Sequence, residues 1–143
     1  MRRATQRNEL AKNRVRALLL SGFLLAGSLA RGLQESRKSE AFRSELDRAP
    51  AAARARPNPY EGHAEAVQAG KKLFKRHCAE CHGEDGRGQG RAPDLRAPVI
   101  QTASPGTLFW FLRNGNLREG MPSWSRLPDQ RLWQLVSYVQ TLK

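Results

Sequence analysis

The residues with the clearest chemistry lie at positions 78–82, where the chain reads CAECH. Cys78 and Cys81 are the only two cysteines in the sequence, and His82 directly follows the second one. A thiolate is a nucleophile and a metal ligand, and a neutral imidazole is a common metal ligand. This stretch therefore has the residues for redox, metal-binding or cofactor-binding chemistry.

Three kinds of site use cysteines at this spacing. A thioredoxin-like dithiol needs a βαβ context, and no strand is predicted before Cys78. Structural zinc takes four Cys or His ligands, but the chain has no second cysteine pair and only three histidines. The pattern C-x-x-C-H is the attachment sequence of haem c. In that arrangement Cys78 and Cys81 lie on one side of a helical turn and add to the porphyrin vinyl groups, and His82 binds the iron.

A haem iron has a second axial position, and Met121 is the leading candidate for it. Once Met1 is removed with the N-terminal segment, Met121 is the only methionine left. It lies in the sequence Gly-Met-Pro, where glycine permits close backbone approach and proline stiffens the loop. Core packing is the ordinary alternative for a methionine. His63 and His77 are the alternative sixth ligands.

The first thirty residues have the composition of an export signal. Residues 1–16 contain six Arg or Lys and one acidic residue, whereas residues 17–30 contain no charge and end in Ser-Leu-Ala. This pattern predicts a signal peptide cleaved after Ala30. The alternative is an uncleaved anchor that tethers the protein to the membrane, although fourteen helical residues span only about 21 Å. In both cases we expect a periplasmic or otherwise extracytoplasmic protein.

Charge and composition divide the remaining chain. Residues 31–57 have mixed charge and few large apolar side chains. A transient helix is possible at 34–48, but Phe42 and Leu46 are too sparse to bury a face, so a linker that is flexible or partly helical is predicted. Residues 58–143 contain helical apolar periodicity and no convincing strands, which predicts an all-α domain. Helices are expected at 64–77, at 105–113 with Ser104 as N-cap, and at 128–142.

The domain resembles the class I cytochrome c family over residues 58–143. The resemblance implies a fold of three to five short helices around one covalently bound haem. It also implies that Gly70 and Phe74, on the first helix, cross the last helix at Tyr138, with Leu135 lining the haem.

The same resemblance assigns further site residues. Pro93, in the sequence Ala-Pro-Asp-Leu, is expected to offer its carbonyl to the His82 imidazole, and Leu95 is expected to contact the haem. A carbonyl partner fixes the orientation of a ligating histidine and raises its basicity. Ala92 departs from the glycine that often precedes this proline. The expected iron ligands are His82 and Met121.

The resulting functional hypothesis is an electron carrier without catalytic activity. It would shuttle single electrons between redox proteins of a respiratory or dehydrogenase chain. Without residues 1–30 the chain has 19 Arg or Lys and 12 Asp or Glu, a net charge of +7 that favours partners with acidic docking surfaces. Lys71, Lys72, Lys75 and Arg76 would form a basic rim, with an ordinary solvated helix face as the alternative. Nucleic acid is not expected as a partner. Alternatives are a haem-based gas sensor or peroxidase-like enzyme with a labile Met121, and a fixed subunit of a larger dehydrogenase.

Overall fold

The computed structural model describes Gln34, Arg37 and residues 40–143. The signal peptide or anchor predicted at 1–30 lies outside these residues. Within them, no helix is both long enough and apolar enough to cross a membrane. Residues 41–143 form one compact unit.

The described residues are helical, with a single isolated β-bridge and no strand. The helices are α1 (Ala51–Arg54), α2 (Ala64–His77), α3 (Ala79–His82), α4 (Pro98–Gln101), α5 (Pro105–Asn114) and α6 (Asp129–Val139), with a 3-10 turn at Leu117–Glu119. There are more elements than the three to five predicted because α1, α3 and α4 are single turns of four residues, too short for an apolar period to show.

The three longer helices lie where the apolar spacing predicted them. Ser104 is the N-cap of α5, as expected, and its hydroxyl accepts a hydrogen bond from the Thr107 N–H at 3.2 Å. Helix α6 begins one residue later than predicted, because Pro128 occupies its N-cap, and it ends at Val139, before Leu142.

Helices α2 and α6 cross at Gly70. A Cβ atom on this glycine would lie 1.9 Å from the carbonyl oxygen of Gln134 and 2.9 Å from Cβ of Tyr138. Only a residue without a side chain allows the two backbones to approach this closely. Next to the crossing, the rings of Phe74 and Tyr138 pack with centroids 5.2 Å apart. The crossing implied by the resemblance, with Gly70 and Phe74 against Tyr138, is therefore present.

The core is apolar and continues around this crossing. Phe74, Leu132 and Val136 have no solvent exposure. The rings of Phe109 and Trp133 stack with centroids 4.2 Å apart, which joins α5 to α6. Because α2 runs into the C-x-x-C-H sequence, the buried α2–α6 pair fixes the position of that sequence.

The chain between residues 41 and 57 differs from the predicted flexible linker. Residues 41–46 are helical, and Leu46 and Ala49 are only 5% and 2% exposed. The ring of Phe42 packs edge-on against Phe111 with centroids 5.6 Å apart. The interpretation of Phe42 and Leu46 as too sparse to bury a face is therefore wrong. The partner of Phe42 comes from α5, so no local apolar period was needed.

Asn58 fastens the end of this N-terminal segment to α6. Its side-chain amide is buried and donates to the Ser137 hydroxyl at 2.9 Å and towards the Trp133 carbonyl at 3.4 Å. Its side-chain oxygen accepts from the Tyr60 N–H at 3.0 Å. All the polar atoms of this buried amide are hydrogen-bonded. Its burial therefore leaves no polar group unsatisfied, and the hydrogen bonds stabilise the attachment.

Candidate haem-attachment site

The two cysteines and the histidine lie on one turn of helix. Cys78 ends α2, and its N–H donates to the Phe74 carbonyl at 2.8 Å. The His82 N–H then donates to the Cys78 carbonyl at 2.9 Å, which closes the next turn. Cys78 and Cys81 are both free thiols. Burial, followed by the neighbouring Cys81, raises the pKa of Cys78 from 9.0 to about 12, so this thiol is held protonated.

The imidazole of His82 is fixed by a backbone carbonyl. Its Nδ1 atom lies 3.2 Å from the carbonyl oxygen of Pro93. A carbonyl oxygen can only accept, so Nδ1 donates and Nε2 keeps its lone pair. Burial lowers the pKa of His82 below its usual value, against the opposing effect of the Pro93 bond. The neutral ring with a free Nε2 is the form that binds a metal.

A tight loop after His82 brings Pro93 back to the imidazole. The Gly88 N–H donates to the His82 carbonyl at 2.8 Å, and the Gln89 N–H donates to the Cys81 carbonyl at 3.0 Å. Gly88 has φ of +80°, and a Cβ there would lie 2.4 Å from the Ala92 carbonyl oxygen. Glycine is therefore required for the loop to fold back on itself.

Leu95 lies at the end of this loop, half-buried against the core. Gln101 holds it there, because its side-chain amide donates to the Leu95 carbonyl at 2.7 Å and to the Val139 carbonyl at 2.9 Å. The role of Gln101 was not predicted from the sequence. Both of its partners are backbone carbonyls, so no residue type in the sequence signals the contact.

Asp94 and Arg96 form a second feature that the sequence analysis missed. The Arg96 Nε and Nη2 atoms donate to the two carboxylate oxygens of Asp94 at 2.9 and 2.8 Å. The hydrogen bonds from Arg96 hold the pKa of Asp94 below its usual value, against a smaller opposing effect of burial. The Asp-Leu-Arg spacing next to Pro93 was the available signal for this pair.

Met121 lies in a separate, ordered loop, residues 115–124. Its side chain is half-buried, and Gly120 before it is left-handed with φ of +87°. The Met121 N–H donates to the Asn116 carbonyl, and the Asn116 N–H donates to the Met121 carbonyl, both at 2.9 Å. This antiparallel bridge fixes the backbone from which the thioether projects.

His77 and His63 are the two residues that were considered as alternative sixth ligands. His77 is half-buried, and its ring packs against Trp124 with centroids 5.1 Å apart. His63 occupies the N-cap position of α2 without a side-chain capping bond. Across residues 40–143, no group of three or more His, Cys, Asp or Glu side chains is arranged to hold a metal ion.

The donor set fits a covalently attached haem. Cys78 and Cys81 supply two free thiols three residues apart on one helical turn. The adjacent His82 presents a free Nε2 because Nδ1 is bound to Pro93. Thioether formation at two vinyl groups and axial ligation by the next residue require this combination.

Comparison with known proteins agrees with this chemistry. Residues 65–139 match the protein-family model described as cytochrome c oxidase, cbb3-type, subunit III. Cytochrome c550 of Pseudomonas aeruginosa is 33% identical over 91 residues, covering 59% of this chain. The cbb3-type cytochrome c oxidase subunit CcoP of Azospirillum brasilense is 34% identical over 88 residues, covering 55% of this chain.

A solved structure has the same fold. Cytochrome cL from Methylophaga aminisulfidivorans matches with a TM-score of 0.52 and 26% identity, over 59% of this chain and 58% of that one. The chain spans 61% of the length of the Pseudomonas cytochrome c550 and 29% of the Azospirillum CcoP.

The helical fold and the C-x-x-C-H turn are those of a class I c-type cytochrome. The chain belongs to the cytochrome c family whose model matches it over residues 65–139, more than half of its length. Haem c is the cofactor of this family and of this chain. Cys78 and Cys81 stand at the spacing that covalent attachment requires.

Proposed function

We propose that the protein is an exported monohaem cytochrome that carries single electrons between redox proteins of a respiratory or dehydrogenase chain. The observation that carries the proposal is the 3.2 Å hydrogen bond between His82 Nδ1 and the Pro93 carbonyl. It orients the imidazole, keeps Nε2 available and sits on the same turn as two free thiols. When bound, the haem supplies a one-electron iron centre.

His82 and Met121 are the proposed axial ligands. The loop carrying Met121 is ordered by its bridge to Asn116, so the thioether can be held in one direction. A thioether ligand opposite a histidine favours the reduced state and raises the potential. With both axial positions filled by protein side chains, small molecules are excluded, which favours electron transfer over catalysis.

Docking to acidic partners is supported by a basic cluster at the end of α2. Lys71, Lys72, Lys75 and Arg76 are all exposed and directly precede Cys78. In this cluster, Lys75 lies 3.5 Å from the Glu84 carboxylate, in an exposed ion pair that is worth little by itself. A concentration of positive charge beside the attachment turn would steer negatively charged redox partners towards the cofactor.

A redox titration of the exported protein tests the electron-carrier function. We expect one reversible transition with the slope of a one-electron couple, about 59 mV per tenfold change in the ratio of the two states. We also expect no turnover of hydrogen peroxide. Rapid peroxide consumption would overturn the proposal in favour of a peroxidase-like enzyme.

The basic cluster has its own test. The rate of oxidation by the anion hexacyanoferrate(III) should fall with added salt and after Lys72→Glu. Arg131→Glu is a matched control, because Arg131 is exposed on α6 and lies outside the cluster. An equal effect of the control would show that net charge alone matters and would contradict docking at the cluster.

A second candidate function is that of a bound subunit. Three relatives are named as subunits of cbb3-type cytochrome c oxidases, among them FixP of Rhizobium etli at 38% identity over 78 residues. Similarity to such subunits favours attachment to a larger oxidase over the larger dehydrogenase that was considered from the sequence. Purification of the tagged protein from its own membranes would distinguish the two, since a fixed subunit brings its complex with it and a free carrier does not.

A further inference from the structure

The side chain of Asn116 links the Met121 loop to the N-terminal segment. Asn116 is only 7% exposed, and its backbone makes both hydrogen bonds of the bridge to Met121. Its side-chain Nδ2 atom donates to the Glu45 carboxylate at 3.3 Å. Glu45 is distant in the sequence, on the helical residues 41–46 that the sequence analysis assigned to a linker.

Glu45 is held firmly enough to act on Asn116. Leu46, the next residue, is 5% exposed, and Phe42 on the preceding turn packs against Phe111. The same carboxylate oxygen of Glu45 also accepts from Arg48 Nη1 at 2.8 Å, in an exposed ion pair that contributes little to its position. The carboxylate is therefore presented to Asn116 by a packed helical turn.

The hydrogen bonds that join the loop to the helical core lie at the ends of the loop. The Gly115 N–H donates to the Phe111 carbonyl at 2.8 Å, and the Trp124 N–H donates to the Leu112 carbonyl at 3.0 Å. The Ser123 hydroxyl donates to the Arg113 carbonyl at 2.6 Å. These bonds fix where the loop leaves and rejoins the helical core. In the described part of the chain, the bond that Asn116 Nδ2 donates to Glu45 is the side-chain hydrogen bond made at the bridge itself.

We propose that Glu45 is a positioning residue for Met121, acting through Asn116. Its carboxylate holds the Asn116 amide, which fixes the register of the bridge and thereby the direction of the Met121 thioether. The inference rests on the proposed function, in which Met121 is an iron ligand. The inference gives residues 41–49 a role other than that of a linker, because the packing of this segment then controls how firmly the sixth iron ligand is held.

The test compares Glu45→Ala, Glu45→Gln and Arg48→Ala in the full-length, haem-loaded protein. Three quantities are measured: the sulfur-to-iron absorption band of the oxidised form, carbon monoxide binding to the reduced form, and hydrogen exchange of the Asn116 and Met121 amides. For Glu45→Ala we expect a weaker band, and carbon monoxide binding and amide exchange raised about tenfold, the size of one hydrogen bond to a charged acceptor. Glu45→Gln keeps an acceptor oxygen and should restore most of the wild-type behaviour.

Arg48→Ala is the control, because it removes the other partner of the Glu45 carboxylate and leaves the Asn116 bond in place. It should match the wild type in all three measurements. The inference would be overturned if Glu45→Ala kept a normal sulfur-to-iron band and wild-type amide exchange. It would also be overturned if Glu45→Ala and Glu45→Gln weakened the band equally. A wild-type protein without the band would instead overturn ligation by Met121, and this inference with it.

Discussion

The carbonyl oxygen of Pro93 lies 3.2 Å from Nδ1 of His82, eleven residues earlier in the chain. This contact decides which imidazole nitrogen is free and in which direction it points. It depends on a loop that turns sharply at Gly88 and on a histidine placed by the end of α2. Substitutions in the loop, at the α2–α6 crossing or in the N-terminal segment should therefore affect the haem site in different ways.

Gly88→Ala should disturb the loop that presents Pro93. A left-handed alanine costs about 1 kcal/mol, and the new Cβ would also lie 2.4 Å from the Ala92 carbonyl oxygen. We expect the clash to add about 1–3 kcal/mol to the loss in unfolding free energy. Gly90→Ala is matched, because Gly90 has φ of +58° but no atom within 4 Å of the added Cβ. Equal losses in denaturant unfolding would contradict the role of Gly88 in the fold of the loop.

Gly70→Ala should destabilise the protein through the α2–α6 crossing. In an exposed helix this change stabilises by about 1 kcal/mol. Here the Cβ would lie 1.9 Å from the Gln134 carbonyl oxygen, so we expect a loss of about 2–3 kcal/mol in denaturant unfolding. Gln68→Ala, at an exposed position of the same helix, should change stability by less than about 0.5 kcal/mol. A more stable Gly70→Ala protein would show that the helices do not cross at this residue.

Leu46→Ala tests the packing of the N-terminal segment. Leu46 is 5% exposed, so truncation should cost about 2–5 kcal/mol of unfolding free energy. Leu117→Ala is the control, because Leu117 is 79% exposed and should change stability by less than about 0.5 kcal/mol. Similar small effects of both variants in calorimetry would support the flexible linker that the composition predicted.

Asp94→Asn should change how stability depends on acid. Hydrogen bonds from Arg96 lower the pKa of Asp94 in the folded protein, so the unfolded chain binds a proton more readily. The resulting stabilisation is present above the usual carboxyl pKa of 3.8 and is lost as the pH falls through the lower folded-state pKa. We therefore expect the variant to be less stable at neutral pH and its stability to decline less steeply below about pH 4. The measurement is the unfolding free energy of both proteins as a function of pH. The same pH dependence in the variant and the wild type would contradict this expectation.

Features encoded by neighbouring residues could be predicted from the sequence. The apolar spacing in α2, the Ser104 cap of α5 and the C-x-x-C-H turn each depend on residues within one or two helical turns. The crossing of Gly70 against Tyr138 followed from the resemblance to cytochromes c. The iron ligands His82 and Met121 remain predictions.

Features that depend on distant partners could not be predicted in this way. Phe42 packs against the core although its own segment has no apolar period, because its partner Phe111 comes from α5. The Glu45–Asn116 bond joins residues 71 positions apart. Gln101 binds two carbonyl groups, which every residue possesses. None of these contacts leaves a spacing or a residue type that the sequence alone would reveal.

The most direct test of the central claim is an absorption spectrum of the exported, haem-loaded protein, oxidised and reduced, with carbon monoxide added to the reduced form. Ligation by His82 and Met121 predicts a low-spin c-type spectrum, a sulfur-to-iron band in the oxidised form and no shift with carbon monoxide. Met121→Ala should lose the band and bind carbon monoxide, which confirms that the assay detects an open site. A high-spin wild-type spectrum, or ready carbon monoxide binding, would contradict the account.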